Sequence, residues 1–394
     1  MRLYIIILFT FLFTTLELSA QNPEPSKPSD KFNPVITAVP FLGISVDTRG
    51  KSMGDVGVAT STNVFSGYYN PSKYAYAQSD FEVGVSYNPW LHKLSGDISF
   101  SDLSMYKRFG KQVLATSLRY FNMGNVNYAD NIGMSIGEYR SYDLAWDFTY
   151  ARMLTSSLAM AVTARYIHSS LAQQQHAQNA ELVSGNAVAA DISLYQQIPI
   201  TFNAHNAYFA WGVNMSNIGS KVSYFKDKSH KSFLPAMLRL GPAFTYEIDK
   251  LNIITFAVDI TKVMAPSRYG GLKAVDENES KQNEISSLSG IFRSFADAPD
   301  GFAEEMREIN VGFGAEYIYK NMFALRGGYF HEDKTKGYRS YVALGTGFTY
   351  SYMHIDLGYQ ISVNSINASP NSISLALSVD LDKIKYKKST EIKK

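Results

Sequence analysis

The sequence contains no cysteine among its 394 residues. This absence excludes a disulfide framework, a metal site built on thiolates and a lipid anchor attached through cysteine. The seven histidines show no ligand spacing, so no metal or other cofactor is expected. The net charge is only +2, and the chain therefore lacks the strongly basic character of nucleic-acid-binding proteins. After the first 20 residues, no apolar run approaches the ~18 residues that a transmembrane helix requires.

Aromatic residues, in contrast, are abundant, with 27 tyrosines and 24 phenylalanines. The chain opens with the basic Arg2, an apolar run over residues 4–13 and a candidate cleavage site at Leu18-Ser19-Ala20. A membrane anchor is the alternative, but the run is short for the ~20 residues of a helical span. This pattern predicts a secretory signal peptide over residues 1–20, with the mature chain starting at Gln21.

From residue 81 onward, large apolar residues alternate with small or polar ones. In YDLAWDFTY, residues 142–150, Trp146 belongs to the large set and Asp147 to the small polar set. A period of two places the two sets on opposite faces of a strand. Fourteen such segments occur, at residues 81–87, 97–106, 112–121, 140–152, 157–168, 187–197, 207–217, 236–248, 252–261, 309–319, 322–332, 340–350, 352–361 and 372–381.

The connections between these segments alternate between short and long. RFGK, MLTSS, EIDKLN and YKN are short, whereas the connection at 262–308 is much longer. The join between the sixth and seventh segments, residues 198–206, is the exception. Short turns on one rim and long loops on the other are typical of an outer-membrane barrel. The sequence therefore predicts an all-β transmembrane barrel of about 14 antiparallel strands, and an even strand count predicts that both termini are periplasmic.

The small and polar face of these segments carries many charged residues. In a barrel with its apolar face toward lipid, this face lines the lumen. The charges then either form a polar conduit or pair across a plugged lumen and hold the plug. Because Asp147 faces the lumen, Asp147→Asn is expected to be nearly silent for assembly. The inward set is Asp143, Asp147, Arg165, Asp191, Arg239, Asp259, Glu316, Arg326, Glu332 and Asp356.

The connection 262–308 is too long for a simple barrel loop. Apolar residues recur in it at helical spacing, with Ser287 as a candidate N-cap. One interpretation is a loop helix that folds onto the barrel mouth, and the other is an exposed apolar element that docks another protein. The candidate partner-binding residues are Leu288, Ile291, Phe292, Phe295, Phe302 and Met306.

The region before the first strand resembles the FadL family of fourteen-stranded outer-membrane transporters. In that family the corresponding segment plugs the barrel from the periplasmic side. The glycines allow close backbone packing, and Asn70-Pro71 is a turn signal. The residues that carry the resemblance are Arg49, Met53, Gly54, Gly57, Val58, Ala59, Tyr68, Tyr69, Asn70, Pro71 and Ser72.

Longer blocks resemble the PorV family, the outer-membrane shuttle and channel-associated component of the Bacteroidetes type IX secretion system. The blocks are NMSNIGSKV (214–222), FLPAMLRLGPAFTY (233–246), VDITKVMAP (258–266), GIFRSFADAPDGFAEEMREINVGFGAEY (290–317) and LRGGYFHEDKTKGYRSYVALGTGFTY (325–350). The resemblance implies a non-enzymatic barrel that takes proteins bearing a C-terminal signal domain from the translocon barrel. It further implies delivery of these proteins to the surface attachment complex that contains a sortase-like peptidase.

Together these features divide the chain into a signal peptide (1–20), a Pro-rich leader (21–40), a plug-like segment (41–80), a barrel (81–381) and a basic tail (382–394). The tail, with six lysines, is interpreted as a solvated periplasmic terminus. The alternative function is FadL-like transport of hydrophobic small molecules, which requires an apolar pocket between plug and wall. Catalysis by His168 and Ser169 is disfavoured, because adjacent strand residues point to opposite faces.

Overall fold

We analysed a computed structural model, which describes residues 32–89, 98–129, 134–171, 183–228, 230–267, 284–363 and 371–384. The predicted signal peptide and most of the leader and basic tail lie outside these ranges. Among the described residues, no helix has the length and apolar character needed to cross a bilayer.

Fourteen strands form the main body of the structure. They are β1 (Phe81–Pro89), β2 (Ser99–Phe109), β3 (Gln112–Ala129), β4 (Ser135–Met153), β5 (Leu158–Ser170), β6 (Gly185–Phe202), β7 (His205–Gly219), β8 (Met237–Glu247), β9 (Asn252–Val263), β10 (Ile309–Tyr319), β11 (Phe323–His331), β12 (Ser340–Tyr350), β13 (Met353–Ser362) and β14 (Ser372–Asp380). Each strand is antiparallel to its neighbours in sequence, and β1 pairs with β14 to close the barrel. The predicted fold class is confirmed.

The connections separate the barrel into two different ends. Short turns join β2 to β3, β4 to β5, β6 to β7, β8 to β9, β10 to β11 and β12 to β13, and we call their end the short-turn rim. The other connections form the long-loop rim. The predicted nine-residue join between β6 and β7 is wrong, because only Asn203 and Ala204 separate these strands, both with positive φ. Such two-residue turns match the twist of a hairpin, and the alternation of short and long connections is unbroken.

The barrel wall is apolar outside and polar inside. On β4 the side chains of Trp146 and Phe148 are 47% and 50% exposed, whereas Asp143 and Asp147 are 1% and 5% exposed. The same alternation recurs on β14, where Ile373 and Leu375 face outward and Ser374 is buried. The large side chains of YDLAWDFTY therefore lie on the outer surface of the barrel, as the sequence predicts.

Residues preceding β1 fill the lumen. They form a 3-10 helix at Pro40–Gly43, the helix α1 (Thr48–Ser52) and a second 3-10 helix at Pro71–Tyr76. Asn70 caps the last of these by accepting a hydrogen bond from the Ser72 N–H. We call residues 38–77 the plug.

The plug runs from one rim to the other. At the long-loop rim, the Asn33 N–H donates to the Thr335 carbonyl, between β11 and β12, at 2.8 Å. At the short-turn rim, the Tyr76 hydroxyl donates to the carbonyl of Ser157. Since β14 ends at the short-turn rim, the first and last described residues lie at opposite rims. The chain termini themselves lie outside the described residues, so the expectation that both are periplasmic stays a prediction.

The connection between β9 and β10 contains two helices, α2 (Ser287–Arg293) and α3 (Phe302–Arg307). The N-cap of α2 is Ser286, whose side chain accepts from the Ser289 N–H, and not Ser287 as the sequence predicts. The helices rest on the long-loop rim.

The outer face of β4 gives a test of the barrel's orientation. We expect Trp146→Arg to destabilise the folded barrel by up to ~2–4 kcal/mol, because it places a charge in the lipid-facing band. Trp146→Leu, which keeps an apolar group there, serves as the control. Urea titration followed by heat-modifiable gel mobility measures both variants. Equal midpoints for the two variants would contradict the assignment of this face to lipid.

Candidate functional site in the plugged lumen and on the long-loop rim

Glycines in the barrel wall let the plug backbone lie directly against the strands. A Cβ added at Gly328 on β11 would lie 2.1 Å from the Met53 carbonyl carbon, and one at Gly314 on β10 would lie 2.3 Å from the Met53 oxygen. The plug contributes Gly54, which has φ +74° and whose added Cβ would lie 2.6 Å from backbone atoms of Tyr329. These distances leave no room for a side chain, which explains the glycine-rich sequences of both strands.

A chain of buried charges fastens the same part of the plug to the wall. The Arg49 guanidinium donates to Glu316 on β10 at 2.5 Å. Glu316 also pairs with Arg326 on β11 at 2.6 Å, and Arg326 pairs with Asp356 on β13 at 2.6 Å. Two arginines thus alternate with two carboxylates across three strands and the plug. Such a pair is costly to break, because the remaining charge stays buried.

Hydrogen bonds fasten the rest of the plug. The Asp259 carboxylate on β9 accepts from the backbone N–H groups of Gly57 and Val58 at 2.7 and 2.8 Å. The Asn70 side chain donates to the carbonyls of Val58 and Leu194 at 3.0 and 2.9 Å, linking the plug to β6. The motif residues therefore lie together at the interface of plug and wall.

The remaining motif residues support the plug from within. The Tyr69 ring lies against Gly50 and Gly57, where an added Cβ would be 2.4 and 2.2 Å from ring carbons. Its hydroxyl donates to Asp55 at 2.5 Å. Pro71 stands at the start of the second 3-10 helix, where its missing N–H leaves no bond unmade.

A second ionic cluster links the wall strands to one another. Arg165 on β5 donates to Asp147 on β4 at 2.6 Å and to Asp191 on β6 at 2.8 Å. Asp147 also accepts from Arg119 on β3 at 2.8 Å. The expectation that Asp147→Asn is nearly silent therefore does not follow from the structure, because two buried arginines depend on this carboxylate.

Cavities remain on both sides of the plug, and charged side chains line part of each. One of about 260 Å³ lies toward the long-loop rim, with Arg239, Glu308, Glu332, Lys336 and Arg339 among its lining residues. Another of about 280 Å³ lies toward the short-turn rim, where Arg49 and Glu316 contribute to the wall. Because charged groups contribute to both linings beside apolar ones, neither cavity is a predominantly apolar pocket of the kind that suits a hydrophobic small molecule.

Helix α3 buries its charged face and exposes its apolar face. Glu304 and Glu305 are 5% and 7% exposed, whereas Phe302 and Met306 are 79% and 50% exposed. A helix on a water-soluble protein shows the opposite arrangement. The charged side of α3 must therefore be stabilised by partners inside the protein, while its apolar side is left exposed.

The cause is a set of buried ion pairs, which we call the rim network: Lys262, Glu304, Glu305, Glu308 and Lys336. Lys262 pairs with Glu305 and Glu308 at 3.0 and 2.6 Å, and Lys336 pairs with Glu304 and Glu308 at 2.5 and 2.9 Å. Burial opposes ionisation of Glu308, but hydrogen bonds from Lys262, Ser267 and Lys336 outweigh it and lower the pKa of this carboxyl. Glu308 is thus held ionised at neutral pH.

Helix α2 is anchored through one side and exposed on the other. Ile291 is buried against Ala236 and Met264, and Gly290 lies so close to the Phe233 ring that an added Cβ would be 2.5 Å from it. Phe292 is 73% exposed, and Leu288 and Phe295 are also exposed. Of the six candidate partner-binding residues, Ile291 alone is a buried anchor, and the other five form an outward apolar surface on α2 and α3.

Sequence reasoning missed the rim network. A usable signal existed in FAEEMREIN, where Glu304, Glu305 and Glu308 share one face of a helix opposite Phe302 and Met306. The lysines come from distant segments, so their pairing is visible only in the fold.

The residues considered for catalysis do not meet. His168 Nδ1 lies 2.9 Å from the Asn186 side chain, whereas the fully buried Ser169 contacts the Tyr224 hydroxyl at 2.8 Å. The two side chains lie on opposite faces of β5. In the part of the chain that the structure describes, no group of three or more residues is arranged to hold a metal ion.

The glycine contacts predict a sharp difference between two adjacent residues. Gly328→Ala should displace the plug, at a cost of ~1–3 kcal/mol for overpacking, because its Cβ would strike the Met53 backbone. In the control Gly327→Ala, the nearest atom would be 3.8 Å away, on Leu344. We expect higher single-channel conductance in planar bilayers for the first variant only. Equal conductance of the two variants would argue against close packing of the plug backbone on the barrel wall.

The second cluster predicts unequal effects for two aspartates on one face of β4. Removing one partner of a buried ion pair costs about 3–5 kcal/mol, so Asp147→Asn should clearly lower the urea midpoint. Asp143→Asn is the matched control, because Asp143 is also buried but forms no salt bridge with any other residue that the structure describes. Similar midpoints for the two variants would show that the arginine contacts contribute little.

Solved structures share this architecture. The crystal structure of the P. putida toluene transporter TodX matches with a TM-score of 0.51 at 12% identity, covering 85% of this chain and 97% of that chain. A TodX deltaS2S3 mutant, described as a monoaromatic hydrocarbon channel, matches with a TM-score of 0.50 at 12% identity, covering 85% and 98%. At this identity the likeness shows the fold alone.

The sequence itself identifies the family. No curated protein matches the chain significantly. A family model described as type IX secretion system protein PorV, however, matches residues 27–269, more than half of the chain. Together with the closed barrel, its apolar outer face and its plugged lumen, this match shows that the chain is an outer-membrane barrel that belongs to the PorV family.

Proposed function

We propose that this barrel is a non-enzymatic carrier of the type IX secretion system, which binds secreted proteins through their C-terminal signal domains. In this proposal it receives these proteins from the translocon barrel in the outer membrane. It then delivers them to the surface attachment complex with its sortase-like peptidase. The long-loop rim faces the cell exterior, as is usual for outer-membrane barrels.

The observation that carries this proposal is the inverted helix α3. Phe302 and Met306 point away from the barrel although burying such side chains is worth about 1.5–3 kcal/mol each. The rim network fixes this orientation from below, so the apolar face is displayed on a rigid support. Exposed aromatic groups on a preorganised support are typical centres of protein binding.

Helix α2 also exposes apolar side chains on the long-loop rim. Phe292, Phe295 and Leu288 are exposed, and α2 is anchored through Ile291 and the Gly290–Phe233 contact. Both helices thus expose apolar side chains, and each helix is anchored to the barrel by its own contacts. This surface suits an apolar partner face on another protein, which we take to be the translocon or a signal domain.

The lumen supports the same conclusion. The plug is held by buried ion pairs, and the cavities beside it are lined with charged groups. The alternative function, FadL-like transport of hydrophobic small molecules, calls for an apolar pocket between plug and wall. The charged groups in the lining of both cavities favour protein carriage on the rim over passage of hydrophobic small molecules through the lumen.

The double variant Phe292→Ser/Phe302→Ser tests the proposal. It alters the two most exposed phenylalanines of the surface and leaves Phe295, which lies beneath Lys262, in place. We expect a folded barrel, at least a tenfold loss of affinity for the translocon or for signal-bearing proteins, and reduced secretion. A tenfold loss corresponds to about 1.4 kcal/mol, less than burial of one phenylalanine contributes.

Leu154→Ser/Leu251→Ser is the matched control, because these residues are 53% and 46% exposed in turns of the short-turn rim. Affinity is measured by co-purification followed by quantitative mass spectrometry, and secretion by surface display of signal-bearing proteins. Undiminished binding and secretion in the Phe292/Phe302 variant would remove this surface from the mechanism.

A further inference from the structure

The first described residues lie at the long-loop rim and not at the rim where β1 begins. The Asn33 N–H donates to the Thr335 carbonyl at 2.8 Å, and the Asn33 side chain donates to Glu304 of α3 at 3.1 Å. The Ala38 N–H donates to the Phe233 carbonyl, between β7 and β8, at 2.8 Å. All three partners belong to connections of the long-loop rim.

These contacts place the segment 32–38 beneath both exposed helices. Asn33 contacts Glu304, which is also an ion-pair partner of Lys336 in the rim network. Ala38 contacts Phe233, the residue whose ring packs against Gly290 of α2. The segment therefore supports α3 at one end and the base of α2 at the other.

From this rim the chain descends through the barrel. Arg49 is fastened to Glu316 on β10, and Asn70 to Leu194 on β6. The Tyr76 hydroxyl reaches the β4–β5 turn through Ser157. Only then does β1 begin, at the short-turn rim, where the Phe81 N–H donates to Asp382, beyond the end of β14.

We propose that the N-terminal segment crosses the lumen and that its residues 32–38 form part of the surface on the long-loop rim that binds the translocon. These residues then lie on the opposite side of the membrane from the end of β14. The inference rests on the proposed function for the orientation of the barrel in the membrane, in which the long-loop rim faces the cell exterior. The opposition of the two ends does not depend on that choice, because it follows from contacts at two different rims.

Epitopes at four positions of the full-length protein test the arrangement. One is inserted before Phe32 and one is appended to the C terminus. A third at Gly301, in the turn before α3, marks the long-loop rim, and a fourth at Gly110, between β2 and β3, marks the short-turn rim. At both glycines no heavy atom lies within 4 Å of an added Cβ. Antibody labelling is measured on intact and on permeabilised cells.

We expect the Phe32 and Gly301 epitopes to be labelled on intact cells, and the Gly110 and C-terminal epitopes only after permeabilisation. Labelling of the Phe32 epitope together with the Gly110 epitope would overturn the inference while leaving the proposed function intact. Exchange of the Gly301 and Gly110 signals would instead overturn the orientation on which the proposed function rests.

The epitope before Phe32 also tests whether residues 32–38 belong to the surface that binds the translocon. An antibody fragment bound before Phe32 should compete with the translocon in co-purification and lower its recovery at least tenfold. A fragment bound to the C-terminal epitope in detergent-solubilised protein is the control and should leave recovery unchanged. Full recovery with the fragment bound before Phe32 would overturn the proposed contribution of the segment to docking.

Discussion

The membrane forces every backbone polar group of the wall to find a partner within the protein, because lipid offers none. Closure of the sheet by β1 and β14 meets this demand, and the rest of the structure follows from it. Once the outer face is apolar, the polar residues of each strand are confined to the interior. The interior must then pair its charges, and the plug supplies both backbone donors and the Arg49 guanidinium for this purpose.

The lumen and the long-loop rim both contain buried ion pairs, which serve different purposes in the two places. In the lumen, the Arg49–Glu316–Arg326 chain holds a segment in place where glycines permit close approach. On the long-loop rim, Lys262 and Lys336 hold the acidic face of α3 inward and so leave its apolar face outward. The buried ion pairs thereby determine which side chains the long-loop rim exposes.

The number of strands and the direction of their faces could be predicted from the sequence, because a period of two is local and strong, as in residues 142–150. Strand ends could not, since β6 continues to Phe202 through pairing with β7, which is a tertiary contact. The exposed residues of α2 and α3 were recognisable from helical spacing. The lysines that orient α3 were not, because Lys262 lies on β9 and Lys336 in the connection between β11 and β12, and they meet only in the closed barrel.

The position of the plug constrains the order in which the protein can assemble. In the register of β1 with β14, Glu82 lies opposite Asp380. The seam between these strands therefore requires contacts of very high sequence separation, which form slowly. The plug precedes β1 in the chain and is synthesised before any strand. If the seam closed first, a free end would have to be threaded through a finished ring. Burial of the plug while the sheet is still open avoids that step. Pairing of β14 with β1 then closes the barrel around a plug that is already in place.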